Sequence, residues 1–164
     1  MEYFACVLTE EELMAKAHTS KRITCSLDNI SILDDNEYIS LYSWCVYESS
    51  ATNMPWRYTG VCYLLLLHER DRVRFKKCFS RAFYNTYKSI DDDEFCDDYY
   101  DLEPLLWLCD PEVYKEFLEI ACKSGNEDIK QDAQKRLLNH PVIDSRYCIA
   151  IKAEYNEFKR KLDS

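Results

Sequence analysis

The sequence predicts an all-α fold: a single-domain helical bundle of about six to seven helices over residues 1–164. Three observations lead there. The 164 residues include two glycines, Gly60 and Gly125, where average usage of roughly 7% would supply about eleven. Hairpins and phosphate loops draw on glycine for positive φ, so a chain this poor in it favours helices joined by polar turns. From Asp35 onward, apolar residues recur at three- and four-residue spacing, the period of a half-buried helix. Helix-start signals punctuate that pattern, no Gly/Ser or Pro-rich linker divides it, and the hydrophobic fraction of 47% suits one packed core.

The first helix begins at Thr9, because Thr9 and Glu12 form a capping-box pair. The segments YFACVL before it and RITCSL from Arg22 are β-leaning and short, which suggests a small β element near the N-terminus. A second helix runs from Asp35 with Tyr38, Leu41, Tyr42, Cys45 and Val46 on one face, and ESSATNMP ends it. A third spans about Trp56 to His68. The fourth extends from Asp71 to about Ser89, with Phe75, Phe79, Ala82, Phe83 and Ile90 inward and a basic stripe of Arg70, Arg74, Lys77, Arg81 and Lys88 opposite. Whether Asp71 caps a new helix or lies within a continuing one is open at this level. LEPLLWLC reads as a short apolar turn or helix. Asp110-Pro111 is a cap followed by proline at the first helical position, and Tyr114, Phe117, Leu118 and Ala121 then face inward. Gly125 is expected to close that helix in the left-handed conformation. Asn126 caps the next helix, with Ile129, Ala133 and Leu137 inward, and Asn139-His140-Pro141 stops it. The last helix begins near Asp144, with a seam of Tyr147, Ile151, Tyr155, Phe158 and Leu162.

DPEVYKEFLEIACKSG followed by NEDIKQDAQKRLLN resembles a HEAT-type helical hairpin over about thirty residues. The resemblance implies antiparallel stacking of two helices in the C-terminal half.

Nine cysteines do not read as a disulfide framework. The count is odd, no C-x-x-C pair occurs, and MEYFACVLTEEEL lacks the basic start and long apolar run of a secretory signal. Buried free thiols and a cytoplasmic location are expected. The apolar run VCYLLLL is too short to span a membrane.

The net charge of −9 is unevenly distributed. Residues 1–68 carry −5, residues 69–88 carry +5, residues 89–110 carry −9, and the rest balance. Eight carboxylates lie between Asp91 and Glu103 with no lysine or arginine among them. Charge runs are often solvated loops. Calcium coordination requires a central glycine and a ligand spacing that this stretch lacks, and no metal or other cofactor is expected. Crowded like charges destabilise the compact state, and a basic partner relieves that strain while gaining encounter rate. The candidate partner-binding residues are Asp91, Asp92, Asp93, Glu94, Asp97, Asp98, Tyr99, Tyr100 and Asp101, the tyrosines supplying contact area.

The expected function is therefore a non-catalytic module that occludes a basic protein partner, most concretely an immunity or antitoxin-type inhibitor of a toxin domain. Nucleic acid is not expected as a ligand, since phosphate binding needs a positive field. Neither is a membrane. An alternative is a helical adaptor or regulator, for example of the viral host-modulating kind, that binds through an apolar groove. A third reading is a thiol hydrolase. Cys62 in TGVCYLLLL follows a glycine near an expected helix start, where the macrodipole lowers a thiol pKa. This stretch resembles the nucleophile region of papain-like cysteine peptidases, and the resemblance implies His140 as base with Asp144 as its orienter.

Overall fold

The computed structural model describes residues 4–23, 27–139 and 145–163. Among them lie eight α-helices and a 3-10 helix at Leu27–Ile32. The α-helices are α1 (Glu10–Ala17), α2 (Asp35–Glu48), α3 (Met54–Arg70), α4 (Arg72–Tyr87), α5 (Asp93–Cys109), α6 (Pro111–Ala121), α7 (Glu127–Leu138) and α8 (Ser145–Leu162). This exceeds the expected six to seven. Asp71 both ends α3 and caps α4, at φ −149° and ψ 82°, so the junction left open above is a break between two helices.

No strand occurs among the described residues. The segment before α1 is extended, but its backbone bonds go to helices. Phe4 N donates to Glu154 of α8 at 3.3 Å, Cys6 N to the Thr59 hydroxyl at 2.9 Å and Leu8 N to the Tyr63 hydroxyl at 2.8 Å. Side-chain acceptors on α3 and α8 thus replace the partner strand that β-leaning residues suggested. Of the second β-leaning segment, Thr24, Cys25 and Ser26 lie outside the described residues, and Leu27 already belongs to the 3-10 helix.

α2 packs on α3 and α4, with α1 laid against α2 and α8 against α3. α5, α6 and α7 pack in succession and join the first group through α3–α5 and α4–α6 contacts. At that junction sits an aromatic cluster. Phe83 of α4 meets Phe95 of α5 at 5.3 Å and Phe117 of α6 at 6.1 Å between ring centroids, and Tyr99 stacks on Phe117 at 5.5 Å. Edge-to-face and offset arrangements of this kind each add about 0.5–1.5 kcal/mol beyond the area they bury. The cluster fixes the orientation of α5, and hence the direction its carboxylates face.

Two expected details fail. No glycine has positive φ; His18 after α1 takes the left-handed position (φ 52°), and Lys88 after α4 also has positive φ (61°). Gly125 instead gives its amide to the Asp91 carboxylate at 2.7 Å, and an added Cβ there would stand 3.0 Å from that oxygen. Leu137 is 38% exposed rather than inward. α6 and α7 do pack on each other across the turn 122–126.

Candidate functional site: an acidic cleft between α2, α3 and α5

The acidic stretch is helical. Asp92 caps α5, its side chain accepting from the Glu94 amide at 3.0 Å, and the helix continues to Cys109 through Pro104. Phe95, Tyr99, Leu102, Leu106 and Cys109 supply the buried face at spacings of four, three, four and three. Like charges three and four residues apart weaken a helix by about 0.2–0.5 kcal/mol per pair. Burial of Phe95 and Tyr99, each fully enclosed, outweighs that, and the acids of the first turn are favoured by the helix dipole.

The other side of α5 carries Glu94, Asp97, Asp98 and Asp101 as one stripe. Glu94, Asp97 and Asp98 line an open cleft of about 410 Å³ whose opposite wall comes from the end of α2 and the start of α3. That wall brings Glu48 with Tyr47 and Trp56, which are 53% and 41% exposed. Four carboxylates and two large exposed rings therefore share one concavity. α2 presents its negative C-terminal end there.

The stripe is only partly neutralised from within. Asp101 is ion-paired to Arg57 of α3. Glu103, buried, pairs with Arg136 of α7 at 2.9 Å and accepts from the Tyr114 hydroxyl at 2.7 Å. Asp98 accepts from the buried Tyr87 hydroxyl at 2.9 Å. Asp93, Glu94 and Asp97 make no ion pair among the described residues. The basic stripe of α4 does not fold back on them: Arg74 pairs with Asp35 at 3.1 Å, and Arg81 reaches Asn36 at 3.4 Å. Burial pushes the Asp98 carboxyl up to about 6, against the Tyr87 hydrogen bond and with the help of repulsion from Asp101, Glu94 and Asp97. Burial likewise raises Glu48.

The nine candidate residues thus divide. Glu94, Asp97 and Asp98 meet in the cleft, with Asp101 one turn on at its ion pair. Asp91 turns toward Gly125, Asp92 is committed to the cap, and Asp93 is exposed on the first turn. Tyr100 is 54% exposed. Tyr99 is corrected: it is fully buried, its hydroxyl bonded to Asp132 at 2.7 Å, because its position on α5 falls on the aromatic face. Sequence reasoning missed Tyr47, Glu48 and Trp56. Glu48 fell in the stretch read as a helix stop and Trp56 at the expected start of the next helix, and nothing local ties them to residues some forty to fifty positions later.

Cys62 lies well inside α3, not at its start, and is fully buried. Burial pushes its thiol far up, the opposite of the lowered pKa that activates a nucleophilic cysteine. His140 and Asp144 lie outside the described residues. Under native conditions iodoacetamide is expected to label exposed Cys6 well before Cys62. Mass-spectrometric mapping that found Cys62 modified first would reverse this assignment. No group of three or more His, Cys, Asp or Glu side chains among the described residues is placed to hold a metal ion, and no described helix is long and apolar enough to cross a membrane.

A second concavity, of about 460 Å³, lies between α5, α6 and α7. It is lined mainly by Trp107, Pro111, Tyr114, Leu118 and Leu137. Comparison with protein-family models, curated proteins and solved structures finds no match for the chain.

Proposed function

We propose that this chain is a non-catalytic binding module whose acidic cleft receives a cationic side chain from a basic protein partner. The observation that carries the reading is the meeting of Glu94, Asp97, Asp98 and Glu48 with the exposed rings of Tyr47 and Trp56 in one cleft. A guanidinium or ammonium gains from both walls there, from carboxylates by charge-assisted hydrogen bonds and from ring faces by cation–π attraction. In its most concrete form the module is an immunity or antitoxin-type inhibitor, its carboxylates standing where nucleic-acid phosphates would lie in a toxin's cationic site.

The test uses a labelled hexa-arginine peptide and the double variant Glu94→Gln/Asp97→Asn. Neither residue serves an ion pair among the described residues, so thermal stability is expected to hold or rise slightly. Affinity at low salt is expected to fall by about tenfold or more, and the salt dependence to flatten. A cation in the cleft favours the ionised Asp98, so wild-type binding is expected to strengthen as pH rises through about 6. Equal affinity and equal salt slope for wild type and variant would end the proposal. The second reading, an adaptor using the groove around Trp107 and Leu137, is favoured by that groove's apolar lining. It predicts partner binding that is nearly insensitive to salt and is lost in Trp107→Ala.

A further inference from the structure

The acidic cleft is the end of a longer trough. Two further concavities, of about 410 and 450 Å³, lie along α2, between it and α4. They share Ser40 and Asn85, and Tyr47 is common to the nearer one and the acidic cleft. On α2 the residues lining all three include Asn36, Ser40, Trp44 and Glu48, each four positions from the last and so on a single face. Ile39 and Ser43, both 7% exposed, form the floor beneath. The facing wall is Arg81, Tyr84 and Asn85 of α4, continued by Glu94 and Asp97 of α5.

The trough is dipolar. Its far end holds Arg81, which is exposed and makes no ion pair among the described residues. Lys77 stands one turn back on α4. The acids nearest that end have partners, Asp35 with Arg74 at 3.1 Å and Glu37 with Lys21 at 2.7 Å. Midway, Lys16 lies over the Trp44 ring at 5.2 Å and His18 lines the wall. The other end is the four-carboxylate cleft. The α2 dipole runs in the same sense, positive beside Asn36 and negative beside Glu48. Between the ends, Ser40 and Asn85 offer uncharged hydrogen-bonding groups. Asn85 already donates to the Ser43 hydroxyl at 2.8 Å, and its side-chain carbonyl oxygen is a further acceptor.

We infer that this trough holds an extended peptide segment of the partner, basic at the end lying between Tyr47 and Trp56 and acidic at the end lying against Arg81. The inference rests on the acidic-cleft reading above and adds the partner's charge pattern to it. From Asn36 to Glu48 the helix rises about 18 Å, which an extended strand covers in about five to six residues. Opposite charges that far apart give one register, and like charges at both ends are rejected.

The experiment uses acetylated, amidated, fluorescein-labelled heptapeptides with neutral interiors. One carries arginine and glutamate at opposite ends, made in both chain directions; another carries arginine at both ends. In one direction the arginine–glutamate peptide is expected to bind wild type about tenfold more tightly than the doubly basic peptide at low salt. Arg81→Glu, on an exposed side chain whose folding can be checked by its melting curve, is expected to reverse that order. If the doubly basic peptide binds wild type as well as either mixed peptide, and Arg81→Glu changes neither, the dipolar trough is refuted while the acidic cleft stands. If no peptide binds, or none responds to Glu94→Gln/Asp97→Asn, both fall together.

Discussion

Asp110→Ala is expected to destabilise the protein by about 3 kcal/mol, read as a lowered midpoint in urea and a melting temperature reduced by several degrees. Asp110 is 1% exposed and sits between α5 and α6. One carboxylate oxygen accepts from the amides of Glu112 at 2.8 Å and Val113 at 3.2 Å, capping α6. The other accepts from Arg72 Nε at 2.8 Å and lies 2.8 Å from His68 Nε2. A single side chain thus ties the end of α3 and the start of α4 to the α5–α6 corner. Loss of a cap alone costs about 1 kcal/mol; leaving the buried side of the corner without its anion adds the rest. Burial would push this carboxyl up, but the bonds from His68, Arg72 and the two amides hold it at about 2. Its folded pKa is therefore below its unfolded one. The stabilisation is complete above about pH 4 and disappears as pH falls through about 2. Glu112→Gln, which breaks only the outer ion pair with Lys76, is expected to change stability by less than about 0.5 kcal/mol. Asp110→Ala within that same margin would show that the corner is held by packing alone.

The Asp110 cap was legible because its signal is local: an aspartate, then a proline, then an apolar face of the right period. The same holds for Thr9, whose capping box with Glu12 is present, and for Asn126. α5 was harder to recognise. Its apolar residues keep helical spacing, but the carboxylates between them and Pro104 hide it, and what pays for the charge crowding is the ring cluster formed with Phe83 and Phe117 from other helices. Tyr99 shows the consequence. Read as part of a charged run it looks like surface; placed on a helix it falls on the same face as Phe95 and is buried. The cleft was half legible for a similar reason. Its acids are dense in sequence, whereas Tyr47, Glu48 and Trp56 become its other wall only when α2 and α3 are folded against α5. Charge in a sequence identifies a feature; the wall facing it is a matter of tertiary contact.

Gly60→Ala separates two physical effects of opposite sign. Glycine inside a helix is about 0.5–1 kcal/mol less favourable than alanine, so propensity alone predicts that Gly60→Ala stabilises α3. Packing predicts the reverse. A Cβ on Gly60 would stand 2.7 Å from Glu48 Cβ and 2.9 Å from both the Glu48 carbonyl carbon and the Ser49 nitrogen. Two of those three atoms are backbone, so no side-chain rotation relieves the clash, and α2 and α3 must move apart. Overpacking of a tight core contact costs about 1–3 kcal/mol. The net expectation is destabilisation by about 1–2 kcal/mol for alanine and more for Gly60→Val, measured in urea. The displaced atoms belong to the end of α2, next to Tyr47 and on the same cleft wall as Trp56, so the wall of the acidic cleft moves with them. Hexa-arginine affinity is therefore expected to drop in Gly60→Ala even at temperatures where the variant is fully folded. In Gly125→Ala, by contrast, the close atom is an oxygen at the end of the Asp91 side chain, which can swing aside, and affinity is expected to hold. Stability of Gly60→Ala equal to or above wild type would mean that the two helices yield at this contact, and that the cleft's geometry is not set by their close approach.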